Sequence, residues 1–128
     1  MDMNCVDKIP LTNGLTVEVF DLSRLIAADT TKVELLFKIE IKMDKAFFSS
    51  DDQYELTRRI FGDILYYEYK MERTFVDNTD RQTIFNEFMD TFKKDSLPYL
   101  SHKDFARRFC LSKYSDIVKH PYKYQRPS

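Results

Sequence analysis

The residues able to do chemistry are few and scattered. The chain has two histidines, His102 and His120, and two cysteines, Cys5 and Cys110. A zinc site needs three or four Cys or His ligands at short spacing, and these residues do not supply it. No CxxC, GxGxxG, Walker, HExxH or GxSxG pattern occurs. Asp51-Asp52 has the chemistry to hold a hard cation, but two carboxylates opening a helix are already explained by the positive end of its dipole. Cys110, between Phe109 and Leu111, reads as a small buried hydrophobe rather than a nucleophile. Neither a metal nor a cofactor is expected, and the missing catalytic set argues against an enzyme.

Two stretches remain as candidate binding sites. Asp21, Ser23 and Arg24 follow directly on an apolar strand. They could line a polar pocket at the strand end, or form a bulge whose polar groups satisfy one another, and the second is favoured. Lys119, Tyr122, Lys123, Tyr124 and Arg126 mix cations with tyrosines near the C-terminus. Such a tail could stack on bases and neutralise phosphates. Equally, it could pack its tyrosines on the acidic body of the protein. The pairs Arg58-Arg59 and Arg107-Arg108 sit on expected helices, where neighbours point about 100° apart and cannot form one fork.

Charge weighs against nucleic acid. The formal net charge of the 128-residue chain is -1. Residues 1–100 carry 13 Lys+Arg against 19 Asp+Glu, and residues 101–128 carry 7 against 2. A basic end on an acidic body is not a nucleic-acid magnet. The first ten residues include Asp2 and Asp7 and lack the apolar core of a signal peptide. No apolar run approaches the roughly 20 residues that span a bilayer. A reduced, cytoplasmic setting is expected.

The elements that must position these residues are legible in part. Asn13-Gly14 signals a tight type I′ turn. Pro10 makes the arm before it an edge strand or a lead-in. Leu15, Val17 and Val19 alternate with Thr16 and Glu18, the period of a half-buried strand. The clearest strand is Lys32 to Met43. Val33, Leu35, Phe37, Ile39, Ile41 and Met43 mark its core face, and Lys32, Glu34, Lys38, Glu40 and Lys42 its wet face, broken only by Leu36. Asp29-Thr30-Thr31 reads as the turn of a long hairpin. A helix capped by Ser50 should run from Asp51 to about Phe61 and stop at Gly62. In residues 64–76, Leu65, Tyr67, Tyr69, Met71 and Phe75 alternate with Glu68, Lys70, Glu72 and Thr74 as a third long strand, with continuation of the helix as the rival reading. Asn78 or Thr79 should cap a helix carrying Ile84, Phe85, Phe88, Met89 and Phe92 at helical spacing, ending near Asp95 before Leu97-Pro98. Ser101 and Asp104 suggest a capping box before a short helix with Phe105 and Phe109. Tyr114, Ile117 and Val118 then suggest a last short element.

The segment Leu15-Thr16-Val17-Glu18-Val19-Phe20-Asp21-Leu22-Ser23-Arg24 resembles the opening of a family of small bacterial proteins. The resemblance extends to Phe61-Gly62 before an aromatic-rich strand and to Leu97-Pro98-Tyr99-Leu100-Ser101. That family has no established activity, so no functional residue carries over. The resemblance implies a bacterial cytoplasmic source and a stand-alone domain.

The sequence therefore leads to one α+β domain over residues 1–118 and a basic tail over 119–128. A three- or four-stranded antiparallel sheet should carry two or three helices on one face in two layers. Phe37, Ile39, Leu35, Phe85, Phe88 and Phe92 should share one core. The expected function is a non-enzymatic binding or assembly module, either a homo-oligomer or bound to a protein partner. The alternative is a small-ligand binder or enzyme with a pocket between sheet and helices.

Overall fold

The computed structural model describes residues 4–124. The chain forms two compact units. One joins the residues up to Ile39 with Tyr67–His102, and the other joins Glu40–Tyr66 with the residues from Lys103 onward.

The architecture is α+β, with a five-stranded, mostly antiparallel sheet. The strands are β1 (Asn4–Pro10), β2 (Thr16–Asp21), β3 (Arg24–Ala27), β4 (Thr30–Lys42) and β5 (Ile64–Asp77). The helices are α1 (Asp51–Phe61), α2 (Arg81–Asp95), the single turn α3 (Leu97–Leu100) and α4 (Phe105–Lys119). The arm that holds Pro10 is the edge strand β1, pairing only with β2, and the short β3 is the strand beyond those expected. Segment 64–77 is a strand and not a continuation of α1.

In the first unit, β2 and β3 pair with β4 in one register from Val17 to Leu25, with a shift before Ala27. Val17 faces Ile39, Asp21 faces Leu35 and Arg24 faces Lys32. They are one long hairpin arm interrupted at Leu22-Ser23. The turn of this hairpin lies at Ala28-Asp29, and Thr30 and Thr31 belong to β4 rather than to the turn. Asn78 explains the earlier turn. Its backbone N–H donates to Asp29 O at 3.1 Å, its side chain donates to Ala28 O at 3.4 Å, and its Oδ1 accepts from the Thr31 hydroxyl. Thr31 is fully buried, and that bond satisfies its polar atom.

The core face of this unit follows from period two. Val33, Leu35, Phe37 and Ile39 of β4 and Val17 and Val19 of β2 are fully buried. Helix α2 lays its apolar stripe of Ile84, Phe88 and Phe92 over them. Phe85 departs from expectation and is only half-buried, because it sits one position off that stripe. The opposite face is not uniformly wet either. Glu34 and Leu36 are buried there, and so is Phe20 of β2.

Gly14 has φ +90, but Asn13 does not share a positive φ. Leu11 O accepts from Gly14 N–H at 3.1 Å, and Leu11 N–H donates to Leu15 O at 2.8 Å. The connection is thus a three-residue loop ending in a left-handed glycine, not the two-residue I′ turn that Asn-Gly suggested. Asn13 is occupied otherwise. Its Nδ2 donates to Leu100 O and His102 O, both at 2.9 Å, and its Oδ1 accepts from Leu15 N–H at 3.1 Å.

In the second unit, α1 begins where Ser50 accepts from Gln53 N–H and ends at Gly62, with φ +86. Asp51 and Asp52 in its first turn and Arg58 and Arg59 in its last complement its dipole. Residues 105–119 form one helix rather than two short pieces. Of its buried residues, Cys110 and Ile117 lie two turns apart on one face, and Phe105 in the first turn is buried about 140° away from it. The expected capping box is not formed. Asp104 makes no side-chain cap bond, and Ser101 instead closes α3. The start of α2 also differs, with Asp77 capping a short 3-10 turn over Asn78–Asp80 before the helix proper.

Candidate functional site

The polar trio after β2 is spent within the first unit. Asp21 accepts from Ser23 N–H at 2.9 Å and lies 3.8 Å from Arg81 of α2. Ser23 Oγ accepts the Glu34 N–H at 3.0 Å, standing in for the carbonyl that the interrupted ladder lacks there. Leu22 N–H donates to Glu34 O at 2.8 Å. Arg24 lies 3.8 Å from Glu34. The structure brings the three together as ladder repair and charge balance around one buried carboxylate. Glu34 is also 3.3 Å from Lys32, which reaches Glu72 of β5 at 3.2 Å. Glu72 is held below the usual carboxylate range, chiefly by its hydrogen bond to Lys32.

The C-terminal candidates divide among several roles in the second unit. Lys119 ends α4 and is exposed. Tyr122 is 85% exposed. Lys123 lies 3.3 Å from Asp116, and Tyr124 donates its hydroxyl proton to the same carboxylate. The Tyr124 ring meets Phe61 edge-on at 5.4 Å. These contacts leave a groove of about 460 Å³ lined by Asp116, Lys119, His120, Pro121, Tyr122 and Lys123. Arg126 lies outside the described residues.

The first unit carries a feature that sequence reasoning missed. Phe75 of β5 is 82% exposed and has φ +58, the one positive φ outside glycine among the described residues. A left-handed conformation costs a residue with a Cβ about 1–2 kcal/mol. Leaving a Phe in water forgoes about 1.5–3 kcal/mol of burial. Fixed neighbours hold it there. On one side Arg73 lies 3.5 Å from Glu87 and 5.5 Å over the Phe88 ring. On the other, Val76 is buried and Asn78 is bonded to the β3–β4 turn. Alternation alone assigned Phe75 to the core face. The available warning was Arg73, a cation in that same apolar phase two residues earlier.

Phe75 lies near the end of an open sheet edge. Strand β5 pairs with β4 and with no other described strand. Its order is antiparallel to β4, since Asp29 bonds Asn78 while Phe37 contacts Tyr69. Tyr69, Tyr67 and Met71 are on the face that α2 covers, and Glu68, Lys70 and Glu72 alternate with them. Tyr69 contacts both Phe37 and Phe92 at 6.5 Å yet remains 43% exposed. Burial and the nearby Tyr99 and Tyr69 phenols raise the Tyr67 hydroxyl above its ordinary value.

No cluster of three or more His, Cys, Asp or Glu side chains able to hold a metal occurs among the described residues. No described helix is long and apolar enough to cross a membrane. No protein-family model matches the chain, and neither a curated protein nor a solved structure matches it significantly. What the site can do must be read from its own residues.

Proposed function

We propose that this protein is a non-enzymatic binding or assembly module that engages another protein through the exposed edge of β5. The observation that carries this reading is Phe75, exposed in a conformation that works against folding. Large aromatics are the usual anchors of protein interfaces, where they fill a partner's pocket. An open strand edge offers backbone hydrogen bonds to the same partner. The polar atoms of Asp21 and Ser23 are engaged within the chain, which favours binding through a surface over a ligand pocket at that point.

On this reading the protein works in the bacterial cytoplasm as a homo-oligomer or beside a protein partner, and it needs no cofactor. Residues 1–118 act as one domain, and the segment from Lys119 is a structural tail. Nucleic acid is not its partner. A net charge of -1 supports this, as does the engagement of Lys123 with Asp116.

Phe75→Gly tests the reading. Glycine accepts φ +58 without strain, so the variant should melt at the same temperature or higher. Proteins captured from a cell extract by the wild type should be lost with the variant. An unchanged set of captured proteins would remove Phe75 from the interface and end this assignment.

A further inference from the structure

The outer edge of β5 carries opposite charges on the two sides of Tyr69. Glu68 and Lys70 flank that residue, and both are exposed. If the edge pairs with a copy of itself, a two-fold axis perpendicular to the sheet makes the strands antiparallel. Odd residues then meet odd ones and even residues meet even ones, so the helix-covered face continues into the second copy.

Charge decides between the registers this allows. An axis on Glu68 or Glu72 sets a glutamate against itself. An axis on Lys70 sets Lys70 against itself and Glu68 against Glu72. Like charges directly opposite one another destabilise a strand pair. Of the axes from Glu68 to Glu72, two escape this and also bring opposite charges together. An axis on Tyr69 matches Glu68 with Lys70 twice, and an axis on Met71 matches Lys70 with Glu72 twice. The Met71 register draws on Glu72, already 3.2 Å from Lys32. It also puts Phe75 into the ladder opposite Tyr67, where φ +58 breaks the extended backbone. The Tyr69 register stops short of Phe75.

We propose that the protein forms a homodimer by antiparallel pairing of two β5 edges about Tyr69. Glu68 of each copy faces Lys70 of the partner subunit. The half-exposed Tyr69 ring, which already rests on Phe37 and Phe92, meets Tyr69 of the partner subunit on the axis. Charges on an edge strand normally deter pairing. Here their alternation favours the Tyr69 register and penalises the registers centred on Glu68 and Lys70. The inference rests on the assembly reading above only for the open β5 edge: a second copy of this chain occupies that edge, and Phe75 stays outside the ladder, where it can engage a different protein.

Sedimentation velocity on the full chain at tens of micromolar tests it. The wild type should sediment at twice the 15.4 kDa chain mass. Glu68→Lys and Lys70→Glu should each weaken dimerisation roughly tenfold, because both reciprocal pairs become repulsive. The double variant should restore it. Both residues are exposed, so all three variants should keep the wild-type circular dichroism spectrum, which guards against misfolding, whereas the melting temperature of the single variants should fall with the dimer by mass action. In the Met71 register Glu68→Lys would be harmless and the double variant would stay weak, and either result overturns the proposal. So does a dimer indifferent to all three changes. A wild type that remains monomeric defeats self-pairing. Phe75-dependent capture of another protein would then leave the broader assembly reading standing, and its absence would remove both.

Discussion

Phe92 of α2 lies flat on Phe37 of β4, with ring centroids 3.8 Å apart and planes 7° apart. Both side chains are almost completely shielded from water. This stack joins the helix layer to the sheet layer in the first unit. Tyr69 extends it toward the edge of β5.

Phe37→Ala should therefore cost about 3–5 kcal/mol, the usual range for emptying a fully packed aromatic site. Urea denaturation checks this through the midpoint, with the slope unchanged. A loss below about 1 kcal/mol would mean that the core closes over the space more readily than its packing suggests.

Period and caps made much of this fold legible, but long-range bonds did not. Strand β4 was readable because Val33, Leu35, Phe37, Ile39 and Ile41 alternate along it and favour one orientation, despite Leu36. Helix α1 was readable at both ends, since Ser50 and Gly62 act locally. The hairpin turn was displaced because Asn78, far along the chain, bonds Ala28 and Asp29. The expected I′ turn failed for a similar reason, with Asn13 serving Leu100 and His102. The wet face of β4 misled because Lys32 and Arg24 neutralise a buried Glu34, and no local pattern reports that. Of the candidate site, the trio Asp21, Ser23 and Arg24 was visible as polar residues after a strand. Phe75 was not, because a positive φ imposed by anchored neighbours leaves no trace in alternation.

Asn13→Ala should destabilise the first unit by about 1–3 kcal/mol. It removes the two bonds that Asn13 donates to the Leu100 and His102 carbonyls and the one it accepts from the Leu15 N–H. Asn13→Asp should recover only part of this loss, because it keeps the acceptor for Leu15 and removes the two donated bonds. Thermal melts of the two variants give the comparison. Equal losses would show that the bond to Leu15 carries nothing.

The two thiols should differ sharply in reactivity. Cys5 is exposed on β1, whereas Cys110 is buried in α4. Burial, with a smaller contribution from Asp44, pushes the Cys110 thiol up to about 11. The thiolate is the nucleophile, so at pH 8 a thiol reagent should modify one cysteine in the folded protein and two in denaturant. The raised value also fixes a pH dependence. A thiol kept neutral by folding stabilises the protein fully below its ordinary pKa, and that contribution is lost as pH rises through about 11. Rapid modification of Cys110 at pH 8 without denaturant would show that α4 opens readily.

Asp116 should act as an acid-sensitive clasp for the segment Pro121–Tyr124. The hydrogen bond from Tyr124, followed by Lys123 and the nearby His120, holds its carboxyl below the usual carboxylate range. A carboxylate with a lowered folded pKa stabilises the bound arrangement above its ordinary pKa. That stabilisation fades as pH falls through the lowered value. The clasp should therefore be closed at neutral pH and released in acid. It should also hold under mildly alkaline conditions, because the same bond raises the Tyr124 phenol above its ordinary value. The Tyr124 ring protons report the state directly, since the ring rests edge-on against Phe61. Their shifts should move together with the Asp116 titration. Asp116→Asn keeps the shape but removes the charge, so it should abolish that acid step and shift the ring toward its released position at neutral pH. A Tyr124 signal that ignores both pH and the substitution would show that Phe61 alone anchors the ring.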